Sequence, residues 1–424
     1  MSSIQLQSSI PVTSVWRIAF IVSVLLLNLP FANAQRFRVL HTFTDTADGA
    51  YPYAGLVIDA KGNLYGTANQ GGESGACYPA YSGCGTVFEL SPSKSGWVFH
   101  TLYTFKGGAD GQGPYGEVIF GPDGSLYGTT IDGGHSVCPS GCGLVFNLKR
   151  PKDTWIETVL YAFKGNHDGF YPTGNLAFDS AGNIYGTTTQ GGANGPGTIY
   201  ELTHSGGKWV EDILLNFAGQ EDGANPYAGV TLGSTGTLFA TTSVGGASGY
   251  GTVDELTKTN NTWTEKNLYQ FQNSDATGAY PFAGLLLQKS GVLLGATEVG
   301  GIHQGGTVFS LAPSDGDWKI APLYSFTSEY CCNGPAANLI TDAAGNLYGT
   351  TQGASGVEGT VFKLTRKGDE WVRTVLHRFT GGSDGDNPLG ALVLDSAGNL
   401  YGTTELGGSP TNGGYGVVFE ITNP

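Results

Sequence analysis

The chain has 424 residues, 69 of them glycine and a single methionine, with a formal charge of −15. Glycine costs about 1 kcal/mol per helical site relative to alanine, so a mainly helical protein is excluded, and glycine without a three-residue period excludes collagen. A 40% hydrophobic content can bury a core, while the acidic balance argues against nucleic-acid and anionic-membrane partners, which need basic patches.

Residues 1–34 read as a signal peptide. Arg17 precedes the apolar run 18–29, and Ala32-Asn33-Ala34 supplies the small residues of a cleavage site. The run is short for a membrane span, which needs about 20 residues. Cleavage near Ala34 predicts an exported protein, periplasmic or extracellular, with one domain over 35–424. No later segment is apolar enough to span a membrane.

From there the chain repeats itself seven times. GNLYGTA from Gly62 recurs as GSLYGTT from Gly124, GNIYGTT from Gly182, GTLFATT from Gly236, GVLLGAT from Gly291, GNLYGTT from Gly345 and GNLYGTT from Gly398. A period of 53–62 residues points to a propeller, solenoid or array. Each period reads as four short strands: an apolar stretch closed by a D-x-x-G turn, LYGTT, then GTVFKLT after a Gly-rich loop, then an alternating strand such as WVRTVLHRF. Six fourth strands begin with Trp, at 97, 155, 209, 263, 318 and 371. That column reads as packing between repeats.

The ends are out of register. The exported chain would start on a fourth strand, RFRVLHTF from Arg36, and the last repeat stops on a third strand, GVVFEIT from Gly416. A ring resolves this, because the N-terminal strand completes the last repeat and removes the exposed edge. The sequence therefore predicts an all-β, seven-bladed β-propeller of four-stranded blades.

The motif set GNLYGTT-x-GG, GTVFKLT, a following Trp, VLYxF and DGxxP resembles the bacterial GloVer tandem repeat. The likeness extends over nearly the whole chain after residue 34. It implies an exported repeat protein and brings no established reaction or catalytic residue. LAFDSAGNIYGTT from Leu176 is also loosely similar to NHL and gluconolactonase-type propellers.

The loop from the fourth strand to the next first strand repeats DGxxP, with Asp48, Asp110, Asp168, Asp222 and Asp384. These acids read chiefly as turn caps, with a ring of ligand-binding carboxylates as the functional alternative. Glu89, Glu201, Glu255 and Glu420 on the third strands read as a solvated face.

Function is expected where the repeats differ. The loop between the GG pair and GTVF has four residues in blades 3–6, but twelve in blade 1, eight in blade 2 and seven in blade 7. These blades are neighbours in a ring, so the long loops form one asymmetric ridge on the DGxxP face. Cys77 and Cys84 bracket most of the first loop, and Cys138 and Cys142 lie in the second; local pairs compete with a Cys84–Cys142 bridge. Cys331 and Cys332 form either a vicinal disulfide or two thiols. The candidate ligand-binding residues are Tyr78, Tyr81, His135, His167, Asp168 and Tyr415, among further face aromatics including Tyr53, Tyr115, Tyr227 and Phe282. Glu298 and Glu405, directly after their second strands, stand out as irregular acids.

No H-x-H, H-E-x-x-H or C-x-x-C motif is present, so no catalytic residue, metal or cofactor is assigned. A monomeric, non-catalytic propeller that recognises a glycan or a protein through its loop-rich face is the first reading. A polysaccharide-acting hydrolase or lyase and a structural envelope component are the alternatives.

Overall fold

The computed structural model describes residues 35–424, except 73–76, 78–81, 135–137, 166, 273–275, 328–333, 354–357 and 410–412. The proposed signal peptide and Tyr78, Tyr81, His135, Cys331 and Cys332 fall outside the described residues. Among those described, the strands form seven antiparallel four-stranded sheets arranged as a propeller; blade 2 carries one extra short strand, Gln112–Pro114. Blade 3 shows the pattern from axis to rim: Ala177–Phe178, Ile184–Thr188, Thr198–Ser205 and Lys208–Asn216.

The ring closes as the sequence register requires. Arg36–Thr42 pairs antiparallel with Val417–Thr422, with Arg36 opposite Thr422 and Thr42 opposite Val417. First strands are shorter than their apolar runs, only two residues each, as in Ile340–Thr341 and Val393–Leu394. The chain before them is pressed against the neighbouring blade at the axis. A Cβ on Gly55 would lie 2.6 Å from the Ala391 carbonyl oxygen, too close for strand pairing to extend inward.

Each motif residue has a mechanical role. In LYGTT the Leu is fully buried, and the Gly admits the Phe ring of the third strand: a Cβ at Gly66 would sit 2.6 Å from Phe88. Blade 4 breaks the rule at both partners. Ala240 replaces the glycine, and its opposite number in the ladder is the fully buried Asp254 rather than Phe. Thr252 Oγ1 and Asn267 Nδ2 donate to that carboxyl, and burial pushes it above the usual carboxylate range.

The Tyr of LYGTT reaches the D-x-x-G turn. Asp59 accepts the Lys61 and Asn63 backbone N–H groups, Asn63 Nδ2 and the Tyr65 hydroxyl; Asp179, Asp342 and Asp395 do the same in their blades. The third-strand acids are not a solvated face throughout. Glu201 and Glu420 are buried and accept from the Tyr185 and Tyr401 hydroxyls, and Glu89 accepts from Tyr65. A tyrosine hydroxyl carried inward needs an acceptor, and the facing glutamate supplies it.

Blades are joined by contacts that recur around the ring. Phe at the end of one outer strand meets, edge-on, the third-strand aromatic of the next blade: Phe43–Phe88, Phe105–Phe146, Phe163–Tyr200, Phe271–Phe309, Phe326–Phe362 and Phe379–Phe419. Such a pair adds about 0.5–1.5 kcal/mol to the burial of its rings. The Trp column also packs between blades, with Trp97 on Tyr401, Trp263 on Tyr185 and Trp318 on Phe239. The first Thr of LYGTT donates to the next blade, as from Thr187 Oγ1 to the Ala228 carbonyl (2.9 Å) and from Thr403 Oγ1 to the Ala54 carbonyl (2.7 Å). The last of these spans the closing seam between blades 7 and 1.

Deleting residues 36–43 removes the outer strand of blade 7 and the Phe43–Phe88 contact. We expect the melting temperature to fall by about 10 °C or more, with each kcal/mol worth ~2–4 °C in a domain of 150 residues or more. An unchanged melting curve contradicts the closed ring.

Candidate functional site

The DGxxP and GG loops share one face, as the strand alternation requires. Isolated bridges join them within blades: Ala50 to Gln70, Phe170 to Gln190, Ala224 to Val244, Ala279 to Val299 and Asp386 to Leu406. In each such loop the acid closes its own turn. Asp48, Asp110, Asp168, Asp222 and Asp384 accept the backbone N–H four residues upstream, from Thr44, Lys106, Lys164, Ala218 and Thr380. In four of these loops a side chain seven residues upstream adds a bond: His41, Tyr103, Tyr161 and His377. Asp168 is thus nearly buried and engaged by Tyr161, while His167 beside it is exposed.

The residue before the loop Pro sits in the left-handed region, at φ 56° for Tyr51, 59° for Tyr171 and 57° for Tyr280. For a bulky residue this is strained. Interblade bonds hold it there: Tyr51 N–H donates to the Tyr415 carbonyl (2.8 Å), and Tyr171 N–H to the Cys142 carbonyl (3.1 Å). Tyr415 therefore belongs to the seam between blades 7 and 1, where its ring also meets Tyr51 edge-on. Asp168 lies two blades away, so the described members of the ridge set do not converge on one site.

The cystines are local. Cys77 pairs with Cys84 and Cys138 with Cys142, at Cα separations of 5.3 and 5.2 Å. Cys84 and Cys142 are fully buried in the seams to the following blades, so each bridge ties its loop to the core. Among the described residues, no three His, Cys, Asp or Glu side chains are grouped to hold a metal ion.

What does converge is the channel mouth on the loop face. All seven blades contribute to a cavity of about 390 Å³. The residue after each loop Pro is Tyr53, Tyr115, Thr173, Tyr227, Phe282, Ala336 or Leu389, and all seven line it. Tyr53 stacks on Tyr115 with centroids 5.0 Å apart, and Tyr227 meets Phe282 edge-on at 5.2 Å. Two residues deeper, most blades carry Gly or Ala, but Glu117, Asn175 and Asn338 project polar groups into this layer.

Asn175 Nδ2 donates to Glu117 Oε2, and its Oδ1 accepts the Glu117 backbone N–H, both at 2.9 Å. Confinement in the channel pushes the Glu117 carboxyl up to about 7, against the opposing pull of the Gly55 N–H. Burial also raises Glu298, which lines the same cavity, and pushes the Tyr115 phenol up to about 12. Glu405 accepts from Asn387 Nδ2 at the rim. No Lys, Arg or His stands among the described lining residues.

Reading the repeats one by one pointed to Glu298, Glu405 and the four rings but missed Glu117, Asn175 and Asn338. Their signal was present: aligning the third residue after each loop Pro shows these three breaking a small-residue rule.

The repeat model matches residues 29–137, 76–302, 136–353 and 268–424, together spanning every blade. The chain belongs to the Gloeobacter/Verrucomicrobia repeat family. No curated protein matches this member of the repeat family. Among solved structures, it is similar to the extracellular domain of a hybrid two-component system from B. thetaiotaomicron (TM-score 0.56, 12% identity), covering 91% of this chain and 40% of that one. The repeat protein thus spans well under two thirds of that relative. A fungal alcohol oxidase of the AA5 family has TM-score 0.55 and 12% identity, over 92% of this chain and 76% of the other. A PL25 ulvan lyase has TM-score 0.53 and 12% identity, over 90% and 95%. At these identities the likeness is one of fold.

Titration of the repeat protein follows from its confined acids. Glu157 and Glu211, on outer strands, are raised to about 7 by burial and by neighbouring Asp110 and Asp168, and Glu117 reaches the same value. The folded state therefore holds protons that the unfolded chain loses above 4.5. Their contribution is complete below that pH and is lost as pH rises through about 7. Asp48, Asp59 and Asp342 are held low, because donors from the backbone and from His41, Asn63, Tyr65, Asn346 and Tyr348 outweigh burial; their contribution is lost as pH falls below 3.8. Thermal melts should show greatest stability near pH 5 and a decline towards pH 8. Glu117→Gln should remove roughly 1–2 kcal/mol of that decline, less than full burial would give because the carboxyl meets channel water. A flat profile contradicts the assignment.

Proposed function

We propose that this repeat protein is an exported, non-catalytic binding propeller that holds an extracellular glycan at its channel mouth. The observation that carries this reading is the composition of the cavity: four aromatic rings, with Asn175, Asn338, Gln352 and Asn387 among the polar side chains around them. Sugar rings offer C–H faces that stack on aromatics and hydroxyls that suit amide groups. The volume falls within the ~300–1,000 Å³ usual for small-ligand sites. Two cystines in surface loops and the signal-like segment 1–34 support an oxidising compartment, and no helix among the described residues is long and apolar enough to cross a membrane.

The chemistry of the wall also narrows the ligand. A uronate or sialate carboxylate entering this cavity would meet Glu117 and Glu298 with no described cation to neutralise it. The site therefore suits uncharged saccharides better than the GlcA-containing ligand bound by the PL25 ulvan lyase among its fold neighbours. A hydrolase reading draws on one observation, two carboxyls with raised affinity for protons in one cavity. Release of new reducing ends from a bound glycan, abolished by Glu298→Gln, would favour it.

A glycan array probed with wild type and with a Tyr53→Ala/Tyr115→Ala variant tests the binding reading. We expect neutral oligosaccharides to be retained by wild type and at least tenfold more weakly by the variant. A third protein, with residues 73–84 replaced by the four-residue loop 193–196, should bind like wild type, because Pro196 meets the next blade as Cys84 does. Equal binding by wild type and the double variant contradicts the mouth as the site.

A further inference from the structure

The mouth selects by charge as well as by shape. Its aromatic wall comes from two sides of the ring, Tyr53 and Tyr115 from blades 1 and 2, and Tyr227 and Phe282 from blades 4 and 5. Aromatic faces carry negative potential, and rings surrounding one cavity form a cage that attracts ammonium groups. Glu117 and Glu298 line the same space, Glu405 stands close enough at the rim to act on the Tyr115 phenol, and no basic side chain is among the described lining. An uncharged sugar uses the rings and amides but brings no positive charge to the carboxyls in a confined site. An ammonium group engages both at once, and its positive charge offsets the cost of keeping those carboxylates ionised there.

We propose that the channel mouth binds the ammonium group of an amine-bearing oligosaccharide, one with free rather than N-acetylated amino sugars, and excludes acidic sugars. This deepens the glycan reading and rests on it. The ring faces take the sugar planes and the methylene-like C–H edges, and the carboxyls of Glu117 and Glu298 take the ammonium protons. N-acetylation removes the charge on which pairing with the carboxyls depends. A carboxylated sugar is repelled by the same two acids.

Calorimetric titration with three tetrasaccharides of matched length tests this: the glucosamine tetramer, the N-acetylglucosamine tetramer and cellotetraose, each at pH 6 and at low and high salt. At that pH, below even the ~7.7 of an α-amino group, the amino groups of the glucosamine tetramer are charged. We expect the glucosamine tetramer to bind at least tenfold more tightly than cellotetraose, with the advantage shrinking in high salt. Glu298→Gln should cut the advantage of the glucosamine tetramer over cellotetraose, both measured on that variant, to threefold or less; Glu117→Gln, checked for a single cooperative melt at pH 6, should do the same. Equal affinity for the glucosamine tetramer and cellotetraose, both measurable, overturns charge selection and leaves the glycan reading standing. Failure of all three tetramers, together with an empty glycan array, overturns both.

Discussion

The constraint on which everything else depends is closure of seven blades into a ring with no free edge. The chain meets it by repeating the same joint. A Phe edge meets an aromatic face, a threonine hydroxyl caps a carbonyl across the seam, and the N–H before the loop Pro bonds the end of the preceding blade's GG loop. Between blades 7 and 1 the joint is Phe43 on Phe88, with Thr403 on Ala54 and Tyr51 on Tyr415 joining opposite ends of the described chain. Because seven seams must share one full turn, none can be much tighter or looser than the others. The repeats are conspicuous because they serve that requirement.

Closure also creates the site. Loops that follow the outer strands must return to the axis to start the next blade, and the residues after their prolines arrive together around the channel. A seam needs small residues there, since backbones of adjacent blades touch; a Cβ on Gly229 would overlap the Asn175 carbonyl. Glu117, Asn175 and Asn338 each abut a glycine of an adjacent blade, Gly55, Gly229 and Gly284, and Asn175 fixes Glu117 through two hydrogen bonds. The strain in Tyr51, Tyr171 and Tyr280 belongs to the same turn, since their left-handed backbones point the N–H groups at the neighbouring blade.

The fold was legible in the sequence because each motif states a local rule that holds in most blades. The offset ends required pairing of the N-terminal strand with Val417–Thr422, and the Asp of DGxxP behaved as the turn chemistry of Asp predicts. The acids of the third strand were less legible. Alternation suggested a solvated face for Glu201 and Glu420, yet both are buried, because the Tyr185 and Tyr401 hydroxyls on the adjacent strand reach over to them. The site was legible only in part. Long loops drew attention to a ridge over blades 7, 1 and 2, whereas convergence at an axis depends on depth from the mouth, which loop length does not report. Asp254 illustrates the same limit: its replacement of Phe is visible in the repeat, but its tolerance depends on Thr252, Asn267 and the absent Phe partner of Phe217 across that seam.

Native-state hydrogen exchange at the closing joint is the most direct measure of the account. Phe43 N–H donates to the Gly416 carbonyl within blade 7 and Tyr51 N–H to the Tyr415 carbonyl across the seam to blade 1; Phe163 to Gly143 within blade 2 and Tyr171 to Cys142 across its seam to blade 3 are their equivalents. A closed ring predicts that the two pairs of amides exchange at similar rates, because opening either seam breaks the same construction. Exchange of Phe43 and Tyr51 faster by a factor on the order of a thousand, with Phe163 and Tyr171 still protected, would show that blade 7 frays and that the ring is not closed.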